Sequence, residues 1–159
     1  MKKYFILVSA AVLTILFNCC DRNPEERNVQ IILQNDSGQP LKIFDINSIS
    51  IETLNIFEIA TGDEIVQRFV EIEGQTQKGP FDFFEGDSIL VVFGNKERFL
   101  TYKCPRNSFV ESCERNGNIL NIADARWNLE IGNDEGSAYI YRFIPQDFED
   151  AEPCNDNCN

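Results

Sequence analysis

The stretch that most constrains the fold is Gly86-Asp87 followed by Ser88-Ile89-Leu90-Val91-Val92-Phe93. An apolar run of this length, opened by a turn pair, fits a strand buried on both faces. Gly94-Asn95-Lys96-Glu97 then turns the chain into residues 98–102, which predicts a central β-hairpin. A strand covered on both faces needs layers around it, so the remaining segments must supply them.

They do so in short β-rich pieces. Residues 29–33 and 41–46 flank Asn35-Asp36-Ser37-Gly38, a turn-forming group, and predict an opening hairpin. In the second piece Leu41, Ile43 and Asp45 share one face while Lys42, Phe44 and Ile46 share the other, as in an inner strand. Ile49 and Ile51 alternate with Ser48, Ser50 and Glu52, which reads as strand; Leu54 and Ile56, then Phe57 and Ile59, change phase and predict a bulge. Thr61-Gly62-Asp63-Glu64 is a turn, residues 65–72 a strand and residues 74–80 a loop. Residues 118–122 read as strand, residues 129–131 lead to a turn at 132–136, and residues 138–144 place Tyr139, Tyr141 and Phe143 on one face. Residues 145–151 suit one helical turn, with Pro145 first and acids near its positive end. Short strands with turn signals between them and no long amphipathic helix predict an all-β, antiparallel β-sandwich. An immunoglobulin-like topology is the commonest such sandwich, and a small closed barrel is the alternative.

The N-terminus differs in kind. Lys2 and Lys3 precede an apolar segment, residues 4–17, broken only by Ser9 and Thr14. Fourteen helical residues span roughly 21 Å, short of a hydrocarbon core of roughly 30 Å, so an export signal fits better than a membrane span. Leu16-Phe17-Asn18 lacks the small residues of an ordinary cleavage site. Leu16-Phe17-Asn18-Cys19 instead resembles a lipobox, with an aliphatic residue three before the modified cysteine and Asn18 where Gly, Ala or Ser is usual. That resemblance implies a signal peptide over residues 1–18 and lipidation at Cys19. Cys20 is the alternative: its use would leave four downstream cysteines, whereas Cys19 leaves one thiol unpaired, but it would put Phe17 in the aliphatic position. Residues 19–28 are polar, carry Pro24 and read as a tether; the nine from Cys20 onward extend at most about 32 Å. Residues 29–159 then form one domain.

Charge and cysteines narrow the setting. The chain has 14 Lys and Arg against 26 Asp and Glu, and residues 1–18 hold two of the lysines and no acid. The remaining 12 bases against 26 acids give −14, which argues against a nucleic-acid or anionic-lipid partner and favours solubility or a basic partner. Four cysteines allow three pairings. The expected ones are Cys104 with Cys113, closing a polar loop, and Cys154 with Cys158, both suited to an oxidising compartment. Closing the ten-residue loop contributes roughly 2–3 kcal/mol.

Little in the chain points to chemistry. It has no histidine, which removes Ser-His-Asp and Cys-His pairs and imidazole metal ligands, and it has no phosphate-binding glycine motif. The cysteine spacings are not those of a zinc knuckle. Acid pairs are uninformative in so acidic a chain. Asp134 and Glu135, or Asp147, Asp150 and Asp156, are oxygen donors without the calcium-loop pattern, so solvated turns are expected. Trp127, Tyr139 and Tyr141 could stack on a sugar, but alternating aromatics more often pack in a core. Asp87-Ser88-Ile89 fits a loose O-glycosylation pattern yet opens a strand expected to be buried. No catalytic residue, metal or cofactor is expected.

Taken with the signal, residues 86–93, Lys96, residues 118–122 and Tyr141-Arg142-Phe143-Ile144 ahead of residues 147–151 resemble small Bacteroidetes-type lipoproteins. That group has no assigned activity. The resemblance therefore implies an all-β domain lipid-anchored in the bacterial cell envelope, at the outer membrane, with no choice of face. The expected role is non-enzymatic: a binding or structural module contacting the membrane through its lipid and an envelope protein or glycan. The alternatives are an inhibitor of a secreted enzyme such as lysozyme or a protease, and a glycan-binding accessory.

Overall fold

The computed structural model describes residues 25–72, 78–105, 113, 117–131, 136–155 and 158. It contains β1 (Glu26–Asn35), β2 (Leu41–Asn47), β3 (Glu52–Ile59), β4 (Glu64–Ile72), α1 (Pro80–Phe83), β5 (Ser88–Phe93), β6 (Arg98–Lys103), β7 (Trp127–Ile131), β8 (Ser137–Phe143), α2 (Pro145–Asp150) and β9 (Glu152–Pro153). Two sheets, ordered β4-β1-β8-β7 and β3-β2-β5-β6-β9, make the expected β-sandwich. Neither sheet closes on itself or on the other, so the barrel alternative does not hold. The order also departs from the immunoglobulin one, because β1 lies between β4 and β8 and runs parallel to β8. Among the described residues no helix is long and apolar enough to cross a membrane.

The β5 run behaves as its composition requires. It sits between β2 and β6, antiparallel to both. Ile89, Val91 and Phe93 face the sandwich interior with Ile31, Leu33, Ile43, Leu100, Tyr102, Tyr141 and Phe143. Its other face is also covered: Val92 packs under Cys154 and Cys158, with Phe44, Leu90 and Phe99 alongside. The C-terminal segment is thus a partial third layer over one strand, and an uninterrupted apolar run is what such a position selects.

The opening hairpin is corrected. β1 and β2 lie in different sheets, β1 pairing with β4 and β8 and β2 with β3 and β5. Residues between them cross from one layer to the other because Asn35, fully buried, ties that crossing to a neighbouring one. Its Nδ2 donates to the carbonyls of Gln39, Ile59 and Ala60, and its Oδ1 accepts from the Ser37 amide and hydroxyl. Strand, turn and strand are the same sequence signal whether the strands pair or face one another.

Three further expectations change. Residues 48–51, read as strand, form the turn between β2 and β3, where the Asn47 side chain accepts from the amides of Ile49 and Ser50. Residues 118–122, also read as strand, form successive turns. There the side-chain oxygens of Asn118, Asn121 and Asp124 accept from the amides of Leu120, Ala123 and Arg126, diverting the backbone from a ladder. The tether is shorter than expected, since β1 takes up Glu26, Arg27 and Asn28 by pairing Glu26 with Ile72. A bulge is present, but not at the phase change after Ile56, where Ile56 and Phe57 pair in regular register with Phe44 and Ile43: Asp45 opposes Asn55 and Ile46 opposes Thr53, leaving Leu54 as the extra residue.

The pairings also define two ends. β1 finishes and β2 starts at the upper end, with residues 60–63, 94–97 and α2 nearby. β1 starts at the lower end, where β4 finishes and residues 78–87 cross to β5. The turn at 48–51 lies at the lower end as well, because β2 runs down from Leu41 to Asn47 and Ile46 opposes Ser88.

Candidate functional site

Chemistry in a histidine-free chain would begin at its buried and part-buried polar groups. Asp45, fully buried on β2, accepts from the amides of Glu85 and Gly86 and from Asn55 Nδ2, at 2.8, 2.8 and 3.2 Å. It clasps the 84–87 segment, and Gly86 must be glycine because a Cβ would fall on the Ile46 carbonyl and the Asp45 carboxylate. At the upper end Arg126 grips Asp147 with two bonds of 3.0 and 2.7 Å, donates to the Arg142 carbonyl and lies over the Tyr141 ring. Asp147 also accepts from the Ile144 amide, fixing the start of α2. The bonds to Asp147 hold the Arg126 guanidinium pKa above its ordinary value. Burial, then the neighbouring Tyr102, pushes the Tyr141 phenol well above its usual value. Its hydroxyl donates to the Gly117 carbonyl at 2.6 Å and lies 3.3 Å from the Tyr102 hydroxyl. A neutral phenol and a bidentate ion pair of this kind hold a fold together.

The sequence-predicted residues fall out as follows. Cys104 bonds to Cys113 and Cys154 to Cys158. Cys19 and Cys20, with the whole predicted signal, lie outside the described residues, as do Asp134, Glu135 and Asp156. Trp127 and Tyr141 are buried and meet edge to face, and the indole Nε1 donates to the Ile119 carbonyl, so these rings are core and not a sugar platform. Asp147 is engaged by Arg126, and exposed Asp150 accepts from Gln146. Among the described residues no three Cys, Asp or Glu side chains converge on a metal-sized site. Ser88 is buried at the head of β5, which withholds its hydroxyl from a glycosyltransferase, and Asp87 is bonded to Ser48.

Two features were missed in the sequence. The first is an open cleft of about 490 Å³ at the upper end, floored by Leu41 and Ile59 and rimmed by Lys42, Glu58, Asp63 and Asn95. Its Lys42–Glu58 ion pair is 2.9 Å long and exposed. The second is the turn at the lower end. Ile49 and Ile51 are 91% and 87% exposed, and Ile51 sits at φ +54°, a left-handed conformation that β-branched residues avoid. This turn is braced: besides the two bonds to Asn47, Asp87 accepts from the Ser48 amide at 2.8 Å and the Ser48 hydroxyl at 2.6 Å. Alternation with serines disguised the pair as a strand; the missed signal was Asn47 directly ahead of it, a residue that caps turns.

No family model, curated protein or solved structure matches the chain.

Proposed function

We propose that the chain is a lipid-anchored envelope protein whose β-sandwich acts by binding and not by catalysis. The observation that carries this reading is the order of residues 1–26: Lys2-Lys3, an apolar segment too short to span a bilayer comfortably, Leu16-Phe17-Asn18-Cys19, and a strand that starts at Glu26. Only six residues, 20–25, then separate the lipidated cysteine from the sandwich. The buried Asp45, Asp147 and Tyr141 and the part-buried Arg126 support a non-catalytic role, since each is held by structural bonds. The upper cleft is the surface such a domain would offer to an envelope protein or glycan, and a charge of −14 disfavours nucleic acid. Intact mass of the protein from a lipoprotein-processing bacterium tests the anchor. Loss of residues 1–18 with acyl chains on Cys19 is expected; an unacylated start elsewhere overturns it.

The same charge favours a second reading, inhibition of a basic secreted enzyme such as lysozyme. Retention on a lysozyme column should then fall steeply with salt. Retention that ignores salt, or none, removes this reading.

A further inference from the structure

We propose that the turn carrying Ile49 and Ile51 inserts into the surface of the bilayer that holds the N-terminal lipid, and so fixes how the sandwich stands on the membrane. This rests on the anchored reading above. The turn and the start of β1 occupy the same end of the sandwich, in its two different sheets, so the chain enters the domain at the end that carries the turn. From Cys19 the six connecting residues extend at most about 22 Å, which keeps that end near the membrane whatever path they take.

The distribution of exposed apolar groups follows the same axis. Ile49, Ile51, Val70 and Ile131, 91%, 87%, 52% and 78% exposed, all lie at the lower end: Val70 opposes Asn28, and Ile131 opposes Ser137, itself beside Val29. Ile56 and Leu129, 53% and 48% exposed, lie midway along β3 and β7, and among the described residues the large apolar one most open to solvent at the upper end is Ile144, at 37%. A lone exposed aliphatic residue needs no explanation, but four at the end from which a membrane tether emerges do. The turn is also held out by design of its bonds. Asn47 and Asp87 fix four of its donors, and Ile51 stays in a left-handed conformation that glycine would adopt more cheaply. Strain kept at an exposed apolar residue is consistent with a side chain that meets a nonaqueous phase.

Lipid chemistry follows from charge. At −14 the chain after residue 18 is repelled by anionic headgroups, so the surface is zwitterionic and the contact is apolar. The alternative occupant is a protein with an apolar socket, and the test separates the two.

The full-length protein is processed in a bacterium, purified with its lipid and reconstituted into phosphatidylcholine vesicles with or without brominated acyl chains. Tryptophan is introduced as Ile51→Trp or, at the exposed upper turn, as Asn95→Trp; native Trp127 is buried and serves as the internal reference. Brominated lipid should quench the added emission of Ile51→Trp and leave that of Asn95→Trp unchanged. Vesicle flotation with no quenching in Ile51→Trp overturns the insertion and leaves the anchor standing. Failure to float, with no acyl mass on Cys19 or Cys20, overturns both. Protection of residues 48–51 from hydrogen exchange by an envelope protein, and not by vesicles, overturns insertion in favour of the protein socket.

Discussion

The two ends of the sandwich use one device for opposite purposes. At the upper end Asn35 and Asp147 accept from backbone amides and, with Arg126, lock two layers over Phe143, Ile59 and Leu41, so that apolar groups there are covered. At the lower end Asp45 clasps residues 84–87 in the same way, yet Asn47 and Asp87 brace a turn that holds Ile49 and Ile51 away from the core. Side-chain capping of a turn therefore does not reveal which way its apolar residues point. What differs is whether the second sheet lies across the turn to receive them.

Substitutions should separate the ends. The largest effect is expected for Asp147→Ala, which leaves a part-buried guanidinium and the Ile144 amide without their partner; urea unfolding should show a loss of about 3 kcal/mol. Asn35→Ala should follow at about 2–3 kcal/mol, because three carbonyls and the Ser37 donors lose bonds at a fully buried site. A cost below about 0.5 kcal/mol for both would break the view that the upper end is locked by these groups.

Alkaline titration probes the same end more gently. Burial raises the Tyr141 pKa in the folded protein, so the folded state keeps a proton that the unfolded chain releases above pH about 10. Stability from this group is therefore intact below that pH and falls as pH rises beyond it, by at most about 1.4 kcal/mol per pH unit. Melting temperatures from pH 9 to 11.5 should decline less steeply in Tyr141→Phe, within roughly the window where an ordinary tyrosine titrates. An unchanged slope would assign alkaline unfolding to other groups.

The lower end should behave in the reverse sense. Ile51→Gly relieves a left-handed β-branched residue and exposes no core, so it should stabilise the isolated domain by about 1 kcal/mol while weakening lipid quenching. Destabilisation would mean that Ile51 packs against something and is not held outward. The smallest effect is expected for Lys42→Ala at the cleft, below about 0.5 kcal/mol, since its partner Glu58 is largely exposed.

Much of the strand content was legible, and for a consistent reason. β5 was readable to the residue because an unbroken apolar run needs cover on both faces, and the C-terminal disulfide segment provides the second. β8 and the Pro145 turn were readable because alternation and proline act locally. The failures share a cause as well. Residues 118–122 carry strand-like aliphatics, but Asn118, Asn121 and Asp124 compete for the backbone amides, and Ile119 and Leu120 are buried without a ladder. The turn at 48–51 misled through the same competition from Asn47. The lower-end surface could not be read at all, because no local pattern states that Val70 and Ile131, on opposite edge strands of one sheet, lie at the same end as the start of β1.

The sequence by itself determined that the chain is all-β and that the last four of its six cysteines lie in two closely spaced pairs; each follows from the nature and spacing of near neighbours. Tertiary structure decided which sheet each strand joins. β1 and β2 look like a hairpin until Asn35, bonded to carbonyls 24 and 25 residues away, makes them face each other across the core. It also decided that Ile49 and Ile51, alternating like a strand, stand in solvent at the end where the chain arrives. Local chemistry fixes which segments extend and which turn, whereas long-range bonds at a few polar residues fix where those segments meet.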